Sequence, residues 1–352
     1  MAPRPGWKHE RPQRWEGGRL GVKGGRLGGR EEGRPALPGC AGGGTAPARV
    51  PGRTRRGRYT DMNIKQGTSS SPPPGGSGSD ADTGERWLAV EAAPYRPGSV
   101  MWNVSRERFI LLGGAAAAIL QVAHPQVAMG VAAHSRFTED VIGRLKRTLD
   151  AVYAISFGTA EEVAAVRRVV ARRHAPVHGE SPGRYSAFDP DAQLWVLATL
   201  IDGALSMHRR FGRELSAAAQ EEYYREMRRF GEVFGLDPGF GPRSLAEFEV
   251  YYREMLAGPL LGSHPLSAEV AAHIVAPRRP RWVLALRPWT APLVCEYVPS
   301  PVRERLQLPW RRWHPAYVRT LERLGGLALR LRLVPGWARY CPHYRRARGR
   351  CV

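Results

Sequence analysis

From Trp102 onward, apolar residues recur at steps of three and four, the period of a helix with one buried face. The most apolar run, Phe109 to Ala133, predicts a helix from about Ser105 to Ala123, ended or kinked by Pro125, and a second from Pro125 to Ala133. A third is predicted from about Thr138 to Phe157. Thr159 and Glu162 have the spacing of a capping box, which opens a helix ending near His174. Asp189-Pro190 is an N-cap with proline at N1, opening a helix to about Phe211. On that helix Leu194, Trp195, Leu197, Leu200 and Ile201 leave little polar face, so it belongs in the middle of a bundle. Ser216 starts a helix to about Gly235. Ser244 and Glu247 repeat the capping-box spacing before a helix to about Leu256. Shorter helices are predicted after Ser267 and Ser300-Pro301, and a long one from Trp310 or His314 to about Leu333. Period-two alternation is scarce. The prediction is all-α: a single globin-like multi-helix bundle domain over residues 99–345, with a disordered segment over 1–98 and a basic tail over 346–352.

Composition explains the first boundary. Before about Pro97, Gly, Pro, Arg and Ser crowd together and apolar residues are sparse. Such a segment buries too little apolar area to offset its ordering entropy. Residues 1–61 read as translated upstream sequence, with Met62 or Met101 as the start this implies. The net charge of +21 is unevenly placed: residues 1–100 carry +8, residues 101–276 carry −1, and residues 277–352 carry +14. The central helices are therefore neutral, and the basic ends suit a solvated exterior, an anionic membrane surface or a nucleic acid, the last being the weakest reading. The cations after Pro277 are all arginine.

Four scattered cysteines without a CxxC pair argue against a cysteine zinc site or a disulfide framework and suggest a reducing compartment. The first thirty residues lack the apolar core of a signal peptide. The purest apolar run falls short of the roughly 20 residues that a spanning helix needs, so it reads as a buried core helix. A cytoplasmic protein is expected, with peripheral membrane contact through the basic C-terminal region, where Trp282, Trp289, Trp310, Trp313 and Trp337 are interleaved with arginine.

Of ten histidines, His174 has the most informative position. Val163, Val166 and Val170 define one helix face, and His174 continues it. A histidine on an apolar stripe is desolvated and needs a partner for its ring nitrogens: either a backbone carbonyl or a metal such as haem iron. His178 follows four residues later, but Pro176 disfavours the helical geometry that would keep both on one face. His208 extends a second stripe through Leu194, Leu197, Ile201 and Leu205. Two histidines facing one bundle interior can hold a cofactor or be two satisfied core residues. Asp202 interrupts the same apolar helix and needs a cation or several donors; Arg144 is one candidate. His134 follows the second apolar helix, as a cap or at a pocket mouth. Arg144, Arg147 and Thr148 share a helix face, able to clamp a propionate or polarise bound oxygen, or to form an exposed basic surface.

The run Arg108 to Phe137 containing Leu120-Gln-Val-Ala-His-Pro125, then Gly143-Arg-Leu-Lys-Arg-Thr148, Tyr153 to Gly158, Val169 to Gly179, Ala187 to Asp202, Tyr223-Tyr-Arg-Glu226 and Leu308-Pro-Trp310 resemble, in order, the MpaB-like family that includes the latex-clearing rubber oxygenases. The resemblance covers about 240 residues. It implies a helical fold around a b-type haem, with His174 as proximal iron ligand and His178 as the fallback, and with the Arg144–Thr148 segment near the haem. The rubber-cleaving members carry a distal lysine immediately before the threonine. Arg147 stands there in this chain, beside Lys146, and a guanidinium does not give up its proton as an ammonium can. His208 and Asp202 are further candidates at the cofactor.

The function so implied is that of a haem b-dependent, dioxygenase-type oxidoreductase taking O₂ and a small apolar, isoprenoid-like unsaturated substrate, which it cleaves oxidatively. A non-catalytic haem or lipid binder of the same fold is the alternative within the resemblance. A membrane-surface or nucleic-acid binder acting through the arginine-rich ends is the alternative outside it.

Overall fold

A computed structural model describes residues 95–135, 141–277 and 281–350 of the chain; the disordered segment expected over 1–98 lies, up to residue 94, outside the described residues. These described residues are mostly helical, with one two-residue hairpin as the only strand pair among them. In chain order the helices are α1 (Val100–Ser105), a 3-10 segment (Arg108–Gly113), α2 (Gly114–Ala123), α3 (Pro125–His134), α4 (Val141–Phe157) and α5 (Ala160–His174). After a two-residue hairpin, β1 (His178–Gly179) and β2 (Tyr185–Ser186), come α6 (Pro190–Arg210), α7 (Ala217–Val233), α8 (Leu245–Ala257) and α9 (Pro265–Val275). The chain closes with α10 (Arg281–Tyr297), α11 (Ser300–Arg305), α12 (His314–Arg330), α13 (Gly336–Arg339) and α14 (Pro342–Arg350).

The all-α expectation holds, and α6 is its centre. Asp189 caps it by accepting from the Ala192 backbone, and Trp195, Ala198 and Ile201 are buried on it. The Trp195 indole donates to the Leu120 carbonyl at 2.7 Å, and the Gln121 amide donates to the Thr199 hydroxyl at 3.0 Å. These bonds satisfy polar groups on the α2–α6 contact, where unpaired ones would be costly. A second aromatic cluster joins Trp102, Tyr153, Phe157 and Tyr344, tying α1, α4 and α14 together.

Several predicted boundaries move. The single helix expected over Ser105–Ala123 is broken at Glu107, whose backbone is extended (φ −77°, ψ 122°). The cause lies far off in the chain: the Glu107 carboxylate is fully buried and takes two bonds from the Arg339 guanidinium, at 2.7 and 2.9 Å. Cys341 N–H donates to the Arg106 carbonyl beside it. The helix expected after Ser267 begins at Pro265, because the His264 imidazole caps it, accepting from Leu266 N–H. Residues 281–297 form a helix despite Pro288 and Pro292, which local rules read as breakers; packing against α12, α9 and α2 outweighs the lost backbone bonds. The Thr159–Glu162 capping box is present in both directions. At Ser244 only half forms, since Glu247 accepts from Arg243 instead. The basic tail expected from residue 346 belongs, as far as Arg350, to α14, where Ala347 is buried and Arg350 pairs with Glu162 at 3.0 Å.

No single helix among the described residues is long and apolar enough to cross a membrane. The apolar run 108–134 bends by 101° at its break, and Ile119, Leu120, Val122 and Ala128 on it are core residues.

Candidate functional site

His174 ends α5. The stripe leading to it is buried at Val163 and Val166 and half-buried at Val170 and His174, so its last turn emerges from the core. Desolvation holds the His174 imidazole below the ordinary histidine value, which keeps it neutral at pH 7. Arg167 lies seven residues earlier on the same face and is buried, its guanidinium pushed down by desolvation. Sequence reasoning missed Arg167 as one cation among several. Its two-turn spacing from His174 was the available signal.

The chain turns sharply after His174. Val177 N–H donates to the His174 carbonyl at 2.8 Å, and Ala187 N–H closes on the Val177 carbonyl at 2.8 Å. This hairpin sits on α3. A Cβ on Gly130 would come within 3.1 Å of the Val177 side chain, and one on Gly179 would meet the Tyr185 phenol at 2.7 Å. Tyr185 is buried, and its hydroxyl is 3.0 Å from His134 Nε2 at the end of α3. Gln126 joins the hairpin to α6, accepting from Ser186 N–H and donating to Asp189, the cap of α6. The Phe188 ring stands edge-on to His174, 6.4 Å between centroids. His174 is thus bracketed by the turn into the hairpin and by Phe188, just before α6.

His178 has left that face. It lies exposed on β1, as Pro176 implied. Helices α4 and α5 are joined through Gly158 and Thr159 and pack together, as short-linked antiparallel neighbours do. At 1.5 Å per residue, Arg144 and His174 both lie about 21–23 Å from that turn, with Arg147 and Thr148 about one turn below. Arg147 and Thr148 are exposed; the side chain of Arg144 lies outside the described residues.

The second pair of candidates is elsewhere. His208 stands 18 residues along α6 from Pro190, about 27 Å by helical rise, while His174 neighbours Phe188 at the helix's start. The two histidines do not meet. Spacing identified the face each occupies but not its height in the bundle. His208 packs on the Phe109 ring at 4.9 Å, and its Nδ1 lies 3.1 Å from the Arg213 carbonyl. Burial lowers its pKa, and that carbonyl meets only the Nδ1 side of the ring. Asp202 lies about 18 Å along the same helix. Arg209 faces it at 3.8 Å and the Tyr252 phenol stands beside it; whether Arg144 reaches it lies outside the described residues. Burial pushes the Asp202 carboxyl upward. It borders a cavity of about 180 Å³, with Leu205, Phe248, Tyr252 and Arg253, which His174 does not line.

No group of three or more His, Cys, Asp or Glu side chains able to hold a metal occurs among the described residues. His174, a desolvated imidazole held below the ordinary histidine value, has the chemistry of a single ligand to a haem iron. Cys295 and Cys341 are buried, and burial pushes both thiols up to about 11, leaving them unreactive.

The family described as ER-bound oxygenase mpaB/B'/rubber oxygenase, catalytic domain, matches residues 101–328. An uncharacterized protein of Mycobacterium bovis and one of Mycobacterium tuberculosis are each 29% identical to the chain over 150 residues, which is 41% of this chain and 59% of theirs. The chain thus spans about three-fifths of the length of these relatives. No solved structure matches.

Proposed function

Because the chain belongs to the family of mpaB and rubber oxygenase catalytic domains, we propose that it is a haem b-dependent oxygenase with His174 as the iron ligand, acting on a small apolar, unsaturated substrate of isoprenoid type. The observation that carries this reading is the state of His174: a neutral imidazole at the end of a helix, desolvated and framed by Phe188. Neutral imidazole is the form that binds iron. Haem, when bound, supplies the O₂ chemistry that cleaves a carbon–carbon double bond. The chain's residues supply binding and orientation. The close turn at Val177 fixes the His174 backbone, and the Tyr185–His134 contact holds the hairpin on α3. Arg167, buried on the His174 face, would hold a haem propionate through a charge-assisted bond. By helical rise Arg144 would come level with His174 on the neighbouring helix, and Arg147 and Thr148 one turn away would meet the substrate side. Arg147 offers a fixed cation there, which favours stabilising negative charge over gating by proton loss.

Once the purified chain is mixed with haemin and unbound haemin is removed by gel filtration, it should retain a Soret band that His174→Ala abolishes and that His178→Ala and His208→Ala keep. Oxygen uptake on adding an unsaturated isoprenoid then separates an enzyme from a passive haem or lipid binder. A protein that stays colourless with haemin would defeat the reading.

A further inference from the structure

The C-terminal third exposes far more apolar surface than the rest of the described chain. On α10, Trp282, Leu286 and Trp289 are exposed at steps of four and three, one helix face. On α12 and at its C-cap residue Leu331, the residues Leu321, Leu324, Leu327 and Leu331 are exposed at steps of three and four, Leu324 and Leu331 each at 60%. The two stripes adjoin. The helices pack together, and the Tyr317 hydroxyl, one turn before Leu321, donates to the Trp289 carbonyl at 3.3 Å. Trp313 stacks edge-on against Tyr317 and is itself half exposed.

The leucine stripe is not the face by which α12 joins the bundle. That face carries Val318, Glu322, Gly326 and Leu329, all buried, with Gly325 and Gly326 against Phe211. Helix α12 is therefore apolar on its inner side and again on its outer side. Contiguous apolar surface of this extent marks an interaction site.

Charge identifies the occupant. Arg319, Arg323 and Arg330 are exposed on α12 and form the stripe flanking the leucines. Residues 277–352 hold 17 arginines and three carboxylates. Glu322 is turned inward onto Arg210 at 3.0 Å, Glu296 is held by the Trp310 indole and Arg303, and the exposed Glu304 lies on α11, off both stripes. The face is thus cationic around an apolar centre, with tryptophans spread across it. Leucine toward acyl chains, tryptophan at headgroup level and arginine toward lipid phosphate is the composition of an interfacial helix.

We propose that the outer face of α10 and α12 docks on an anionic phospholipid bilayer, seating the leucine stripe among the acyl chains and the flanking arginines on lipid phosphates. This proposal is independent of haem. The test is flotation of the full chain with vesicles of phosphatidylcholine alone or mixed equally with phosphatidylglycerol. The expected result is strong preference for the mixed vesicles. Leu324→Asp with Leu331→Asp should lower vesicle affinity about tenfold or more, and Arg319→Gln with Arg323→Gln about fivefold per charge removed, with a weaker salt dependence. All four positions are exposed, so far-ultraviolet circular dichroism should be unchanged. Three results would overturn the proposal: a full chain that does not float with anionic vesicles, leucine variants that bind as well as the parent, or a parent dimer that the leucine variants dissociate, which would make the face a contact between copies.

Discussion

Replacing Arg339 with methionine should destabilise the fold by about 3–5 kcal/mol, the cost of stranding one partner of a buried ion pair. The structure sets where in that range the effect falls. The Glu107 side chain is 1% exposed and Arg339 14%, and two bonds join them. Once Arg339 is gone, Glu107 faces Arg106 at 3.7 Å, a longer contact to a side chain that is 26% exposed. That second cation offsets part of the loss, which places the expectation at the low end, about 3 kcal/mol. For a domain of this size the melting temperature should fall by roughly 6–12 °C. Glu107→Gln should cost less, because it removes the charge that needs a partner. The double variant should be more stable than the sum of the two single effects predicts, with a coupling of about 1–3 kcal/mol. Urea denaturation followed by circular dichroism measures all three. If Arg339→Met lies within about 1 kcal/mol of the parent, the pair does not hold the C-terminal segment, and the explanation given for the break at Glu107 fails with it.

Further outcomes follow from the same contacts. Burial holds His124, His174 and His208 below the ordinary histidine value, whereas unfolding restores about 6.5. The unfolded chain then binds protons first as pH falls, so this stability is present above about pH 6.5 and is lost below it. Melting temperatures measured across that range should drop on the acid side, and His124→Gln should flatten the slope. Thr159→Ala removes the hydroxyl that accepts from Glu162 N–H and should cost about 1 kcal/mol by denaturant titration. Gly326→Ala would place a Cβ 3.0 Å from the Phe211 carbonyl oxygen, so α12 must shift; a loss of about 1–3 kcal/mol in thermal melts is expected, where an unchanged melt would count against the close seating of α12. Trp195→Phe keeps most of the buried ring but leaves the Leu120 carbonyl without its indole donor, and should cost about 1–3 kcal/mol.

What could be read from the sequence was local. The caps at Thr159, Asp189 and Ser216 depend on residues three apart, and all are present. The apolar surround of α6 marked it as central because no polar face was left to meet water. The break at Glu107 was not legible, since its cause is a partner 232 residues away. Helix α10 was hidden by Pro288 and Pro292, whose local cost is offset only by tertiary packing. At the site, the valine stripe located His174 on an inward face, and Pro176 separated it from His178. The pairing of His174 with His208 could not be judged from periodicity, because a stripe gives direction around a helix and says nothing of position along the bundle. The role of Arg339 as a buried partner of Glu107 was invisible for the same reason.

The absorption spectrum of the haemin-treated chain, compared with that of its His174→Ala variant, tests the central proposal most directly. The account predicts a Soret band in the parent that is lost in His174→Ala while the variant's helical circular dichroism is retained. With unbound haemin removed by gel filtration, an identical band in the variant, or no retained band in the parent, would contradict it.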